Sequence, residues 1–328
     1  MQQRIAVEDE SQVGEARRVA ASLSRMAGLG EADAGRVAII VTELGSNLRK
    51  HAGGGELLIR ELRLGSRSGV EVLSIDRGPG MEVERALTDG HSTASTRGEG
   101  LGAVRRLATE FDAWSGTGGS AVVARVWASG PPPEPVAFGV VSQPLQGQAE
   151  SGDGWEVRGL RSVIRLLVAD GLGHGPIAAR AAAAAVEAFQ GADRLPGPEA
   201  VVHELHGALR PTRGAAVAVV ELDLVSRVLK FAGLGNISGT LDVQGRGSRG
   251  LVSHSGIAGH EARRIQEFSF PWGPRTVLVV HSDGLHTNWK LESYPGLQAR
   301  HPSLIAAILY RDFRRASDDA TVVVVKEP

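Results

Sequence analysis

Two α/β domains in one chain is the fold class this sequence predicts, on three observations. Its 328 residues exceed what one core of ordinary size organises. A joint, Ser129-Gly130-Pro131-Pro132-Pro133-Glu134-Pro135, interrupts it, and successive prolines sustain neither a helix nor a central strand, because they lack the N–H donor and restrict their neighbours. The patterning also changes at the joint, from helical periodicity with two strands to many short β-branched runs. The expected boundaries are therefore 1–130 for the first domain, 131–135 for the linker and 136–328 for the second domain.

In the first half, Ser11 is a candidate N-cap for a helix carrying Val13, Ala16, Val19, Ala20, Leu23 and Met26 at helical spacing. A second helix is expected over 34–51, with Val37, Ile40, Val41, Leu44 and Leu48 as its apolar stripe. Glu43 and Asn47 are four apart on it and share one face. Strands follow over 57–64 and 70–75, the second ending at Asp76. Gly78 and Gly80, around Pro79, then force a loop whose backbone can approach a ligand. Gly98, Gly100 and Gly102 precede a helix predicted over 103–111, whose N-terminal amides would face an anion such as a triphosphate.

Beyond the joint, the runs 136–141, 157–168, 215–224, 228–232, 276–280 and 321–325 read as strands. Helices begin near Pro176 and Pro198, where proline suits a first turn, and a third covers 303–313. The pattern is that of paired antiparallel sheets flanked by helices. Aspartates stand where strands stop or start: Asp153, Asp170 before Gly171, Asp283 before Gly284, and the Asp318-Asp319 pair. Taken singly, Asp-Gly after a strand is commonly a hairpin turn. Several carboxylates brought together would repel one another unless divalent ions compensated them, so their convergence implies hard cations.

Composition limits the partners. Lys plus Arg (36) balances Asp plus Glu (37), so no global field recruits nucleic acid or an anionic membrane. The absence of cysteine rules out disulfides and thiolate zinc sites, leaving oxygen or imidazole to hold any metal. The N-terminal residues lack the apolar core of a signal peptide, and no stretch approaches the roughly 20 apolar residues that span a bilayer. A cytoplasmic location is expected, with oligomeric state left open.

The ordered set Thr42-Glu43-Leu44 with Asn47, Asp76 to Gly80, Asp89-Gly90-His91-Ser92-Thr93 and Glu99-Gly100-Leu101-Gly102 resembles the GHKL ATPase superfamily, whose nucleotide pocket is the Bergerat α/β sandwich, and within it the RsbT-type switch serine kinases. The likeness covers residues 1–128 and implies ATP and magnesium as cofactors. It implies that Asn47 holds magnesium, that Asp76 accepts the adenine amino group, and that Glu43 deprotonates the acceptor serine. It makes Gly78, Gly80, Gly98, Gly100, Leu101, Gly102 and Ser120 nucleotide-binding residues and 90–98 a lid over the phosphates. Gly119-Ser120 stands where relatives usually carry Gly-Thr.

The series Gly152-Asp153, Asp170-Gly171-Leu172-Gly173-His174-Gly175, Ser282-Asp283-Gly284 and Asp318-Asp319-Ala320-Thr321 resembles the PPM metal-dependent serine/threonine phosphatases, an α-β-β-α sandwich, in their SpoIIE/RsbX branch. The likeness spans residues 136–328 and implies a pair of Mn2+ or Mg2+ ions. Asp170 would bridge them with the Gly171 carbonyl in support, Asp153 would assist the first ion, and Asp283 with Asp318 would complete the second. Ser151 replaces the first of two glycines that usually precede Asp153. His174 reads as part of a loop motif, and Asn236 as either a support of the site or a structural turn.

Together the two likenesses imply a bifunctional kinase and phosphatase acting on STAS-domain proteins in a partner-switching or sigma-regulatory network. The alternative is a phosphatase regulated by a non-catalytic ATP-binding domain that sequesters a partner, as an anti-sigma factor does.

Overall fold

The computed structural model describes residues 2–64, 67–87, 100–128, 130, 137–160 and 162–327. The proline-rich joint at 131–135, Gly98, and the expected lid at 90–98 lie outside them. The chain forms two compact units, Met1–Glu134 with Lys290–Ile308, and Pro135–Trp289 with Leu309–Pro328. One cut at the joint therefore does not describe the division. Lys290–Ile308, expected in the second domain, groups with the first.

Unit 1 is an α/β sandwich. Its sheet runs β1-β2-β3-β5-β4, all antiparallel, from β1 (Gln2–Val7), β2 (Gly55–Leu64), β3 (Arg67–Ile75), β4 (Glu110–Gly116) and β5 (Gly119–Trp127). Helix α1 (Glu10–Met26) starts two residues earlier than expected because Asp9, not Ser11, is its N-cap: the Asp9 carboxylate accepts from the Ser11 and Gln12 amides, and Gln12 answers through its own side chain. Helix α2 (Glu31–Asn47) passes into a π-helical turn, Leu48–Ala52, and stops at Gly53, whose φ of 74° an L side chain rarely adopts. Among the described residues, short α3 (Val83–Ala86) and α4 (Gly100–Leu107) follow. The stripes of α1 and α2, including Val13, Ala16, Val37, Ile40 and Leu44, bury against Leu57, Ile59, Val70 and Val72 of the sheet. The predicted helix over 103–111 is corrected to α4; Phe111 belongs to β4, where its neighbours pair with β5.

The opposite face of this sheet carries a ladder of charges. Arg60, Glu71, Arg125 and Glu110 stand opposite one another across β2, β3, β5 and β4. Glu71 is fully buried and accepts from Arg60 Nε at 2.6 Å and Arg125 Nε at 2.8 Å. Ser303, from the Lys290–Ile308 segment, donates to Glu71 at 2.8 Å and accepts from Arg125 at 3.1 Å. The same segment gives the Pro295 carbonyl to Trp114 Nε1 and the His301 amide to Asp112. These bonds explain why it departs from the domain in which sequence order would place it.

Unit 2 is a sandwich of two sheets. The first runs β13-β10-β9-β8-β7, from β7 (Asp153–Leu160), β8 (Val163–Gly171), β9 (Ala215–Asp223), β10 (Val228–Leu234) and β13 (Ser253–His254), with β14 (Phe268–Pro271) also on β10. The second runs β12-β11-β15-β16-β6, from β6 (Ala137–Gln143), β11 (Ser238–Val243), β12 (Gly247–Leu251), β15 (Thr276–His281) and β16 (Ala320–Lys326). Helices α5 (Pro176–Gly191) and α6 (Pro198–Ala208) cover the first sheet through Ala181, Ala185, Phe189 and Val201, packed on Leu167, Ala169 and Val217. Both begin on proline, as expected. Helix α7 (Pro302–Phe313) precedes β16 in the chain. The run 157–168 is not one strand but parts of β7 and β8, paired in register from Asp153–Asp170 to Leu160–Val163.

Candidate functional site

The β7/β8 pairing sets the acidic site. Asp153, first residue of β7, is directly opposite Asp170 near the end of β8. Gly171 follows, with its amide on the Gly152 carbonyl at 3.0 Å. A Cβ at Gly171 would fall 2.2 Å from the Ala178 carbonyl oxygen, so α5 reaches this strand end only because the residue is glycine. Gly284 is under the same constraint, since a Cβ there would meet the Asp319 carbonyl oxygen at 1.8 Å. Both Asp-Gly pairs are thus places where backbones meet, not hairpin turns.

Side chains distant in sequence hold these carboxylates. Ser282 Oγ donates to Asp153 Oδ2 at 2.6 Å and accepts from the Thr321 amide at 3.0 Å. Asn236 Nδ2 donates to Asp283 Oδ2 at 2.7 Å, which decides its place in favour of supporting the site. Asp319 is a clamp: buried, it accepts the Leu145 amide at 2.7 Å and the Gly152 amide at 2.9 Å. Asp318, its neighbour, is the more exposed of the pair and feels His174 electrostatically.

The charges of this cluster are under strain. Burial, then the charges of Asp153, Asp283 and Asp318, push the Asp170 carboxyl up to about 9. Burial likewise drives Asp153 up to about 7, against the hydrogen bond from Ser282 that favours its charged form. Asp318 is raised by burial and by Asp283. Among the described residues no three His, Cys, Asp or Glu side chains stand ready to enclose one cation. The donor chemistry still fits hard divalent ions: all the carboxylates are oxygen donors, and their charges coexist only if protons or cations compensate them.

In unit 1, Glu43 and Asn47 are half-buried on α2. Asp76, just past β3, accepts the Gly78 amide at 2.8 Å and the Ser120 amide at 3.1 Å through Oδ1. Ser120 Oγ lies 3.0 Å from Ser115 Oγ, which also accepts the Met81 amide. Gly80 has φ +82°, and a Cβ on it would strike the Gly116 carbonyl oxygen at 2.5 Å; a Cβ on Gly78 would lie 2.8 Å from Ala52 Cα. These glycines are required by the chain's own packing, whereas their spacing had suggested room for a ligand. Gly100, Leu101 and Gly102 open α4. The carboxylate of Asp76, fixed by amides beside two hydroxyls, suits an amino-group donor such as adenine.

A histidine kinase-like ATPase domain joined to a SpoIIE-type domain is the class these two units define. Residues 6–126 match the histidine kinase-like ATPase domain family, and residues 161–328 match the stage II sporulation protein E (SpoIIE) family. Over 114 residues the chain is 31% identical to the serine/threonine-protein kinase RsbT of Bacillus subtilis (strain 168), an alignment covering 34% of this chain and 86% of RsbT. A solved chain of the bacterial stressosome, described as a modular system adapted to control secondary messenger signaling, shares 25% identity at a TM-score of 0.55, covering 59% of this chain and 100% of its own. RsbX in complex with magnesium matches at a TM-score of 0.53 and 19% identity, over 60% of this chain and 96% of RsbX, a likeness of fold. The chain belongs to the SpoIIE family and, through its first domain, to the family of RsbT.

The supporting roles of three residues escaped sequence reasoning. Ser282 carried a signal, since it directly precedes Asp283. Ser115 and the clamp role of Asp319 carried none, because their partners are set by tertiary contact alone.

Proposed function

We propose that the chain is a bifunctional switch protein that removes phosphate from serine or threonine of a STAS-domain partner in one domain and transfers it from ATP in the other. The observation that carries this reading is the gathering of Asp153, Asp170, Asp283 and Asp318 at one end of a phosphatase-family sandwich, where burial and then neighbouring carboxylate charges raise the proton affinity of Asp153, Asp170 and Asp318. Divalent Mn2+ or Mg2+ held by Asp153, Asp170, the Gly171 carbonyl, Asp283 and Asp318 would supply a more acidic water and a clamp for the phosphoryl oxygens. The chain's own part is to aim the ligands: Ser282 fixes Asp153, Asn236 fixes Asp283, and burial of Asp153 keeps bulk water from screening the charges.

In the first domain, Asp76 would receive the adenine amino group, Asn47 magnesium, and Gly78, Gly80, Gly98, Gly100, Leu101, Gly102 and Ser120 the rest of the nucleotide. Glu43 would take the proton of the acceptor hydroxyl, a role that asks a carboxylate only to reach it. The expected partners are STAS proteins of a sigma-regulatory network.

The test uses the full chain. With manganese and a phosphorylated STAS protein, release of inorganic phosphate is expected; none from any phosphoprotein, with metal bound by calorimetry, would defeat the phosphatase claim. With ATP and the unphosphorylated partner, labelled phosphate should move to the partner and Glu43→Ala should reduce transfer by at least about 100-fold, the usual worth of a general base. Nucleotide binding without transfer would instead favour an ATP-binding domain that sequesters its partner.

A further inference from the structure

The rim of the acidic site has a cationic component that neither family motif includes. Gly173 lies in the loop from β8 to α5 with φ +95°. Its carbonyl oxygen is 3.5 Å from where a Cβ on Gly152, the residue before Asp153, would stand. His174, next along, acts on Asp318. The Gly173 turn therefore borders the carboxylates. Close against it is Arg213, whose Nη1 would lie 3.6 Å from a Cβ at Gly173, with no other atom outside the adjoining residues within 4 Å of that point.

Backbone pairing fixes Arg213 there. Leu172 donates its amide to the Gly214 carbonyl at 3.0 Å, and Asp170 and Gly171 pair with Ala216 and Ala215 of β9. The Arg213 side chain is exposed, and no carboxylate among the described residues forms an ion pair with it. A phosphate ester approaching four carboxylates needs positive charge on its outer side as well as beneath it. A guanidinium offers that charge with a planar fork matched to two phosphoryl oxygens.

We propose that Arg213 binds the phosphoryl group of the incoming phosphoserine or phosphothreonine, in space that Gly173 keeps clear by lacking a side chain. This rests on the phosphatase reading above. The test is steady-state kinetics on a phosphoserine peptide with manganese, paired with calorimetric titration of inorganic phosphate into the manganese-loaded full-length protein. For Arg213→Gln, KM and the phosphate dissociation constant should each rise about tenfold or more, the loss expected for a charge-assisted hydrogen bond. Neither kcat nor half-saturation by manganese should move, and Arg213→Lys, which keeps charge without the fork, should recover part of the loss. Unchanged phosphate binding would overturn the assignment. So would an equal shift in manganese half-saturation, which would make Arg213 a mere support of the loop. A wild-type protein that binds phosphate through Arg213 but releases none from phosphoproteins would uphold the anion site while defeating the phosphatase reading.

Discussion

Replacing Asp170 with Asn is expected to abolish metal-dependent phosphate release and, in the absence of divalent ions, to make the protein more stable than wild type. The two effects share one cause. Asp170 is pushed up to about 9 by burial and then by Asp153, Asp283 and Asp318. Without metal, it is neutral near neutral pH only because it has taken a proton that the unfolded chain would not hold. Asn has the same shape and is neutral at every pH, so it removes this penalty and, with it, the carboxylate that a cation requires.

The sign of the pH dependence follows. A carboxyl whose folded pKa lies above its unfolded value of about 4 contributes its full stability below that value and loses it as pH rises through the folded value. Metal-free wild type should therefore lose stability between about pH 4 and pH 9, most steeply below about pH 7, where Asp153 and Asp170 both hold protons that the unfolded chain has released. The variant should lose less, ending above wild type by on the order of 1–3 kcal/mol in mildly alkaline buffer. Manganese should reverse the order by stabilising wild type in proportion to saturation, with an affinity that grows with pH because binding displaces the shared protons. Scanning calorimetry across this range, with and without manganese, reads both effects. A metal-free variant that melts below wild type would show that these carboxylates do not strain one another.

How much of this was legible in sequence depended on the range of the contact. Strand ends at Asp170 and Asp283 were visible because β-branched runs stop there and glycine follows. The β7/β8 hairpin was not: Gly159-Leu160-Arg161-Ser162 lacks a strong turn dipeptide, and a period of two does not reveal where a chain reverses. Strands β11 to β14 are short and polar on one side, with too little patterning to read. Ser282 finds Asp153 across 129 residues, and spacing along the chain carries no trace of such a bond. The burial of Glu71 was not legible either, for a physical reason. A charged residue alternating with Val70 and Val72 looks solvent-facing, yet a second layer covers it.

That layer gives the other large expected effect: Glu71→Ala should destabilise the first unit by about 3–5 kcal/mol, the cost of removing one partner from a buried ion network. The reason is what remains. Arg60 and Arg125 would each lose the buried carboxylate that their Nε groups share, with Glu110 still paired to Arg125 at 3.1 Å, and Ser303 would lose its acceptor. Burial alone would raise the Glu71 carboxyl, but the Arg60 and Arg125 guanidinium groups outweigh it and hold the group well below the ordinary carboxylate range. Its contribution is therefore complete above the unfolded value of about 4 and is surrendered only in stronger acid, so wild type should resist mild acid in this unit. Glu71→Gln should lie between, keeping shape and one hydrogen bond but not the charge, whereas Ser303→Ala should cost about 1 kcal/mol. Urea unfolding near neutral pH ranks the three. Limited proteolysis supplies a local readout, because Arg300 sits in the segment that Asp112 and Glu71 hold down, and trypsin should cut there sooner in Glu71→Ala. A Glu71→Ala protein within about 1 kcal/mol of wild type, with unchanged cleavage at Arg300, would mean that the ladder is solvated and the segment is anchored by something else.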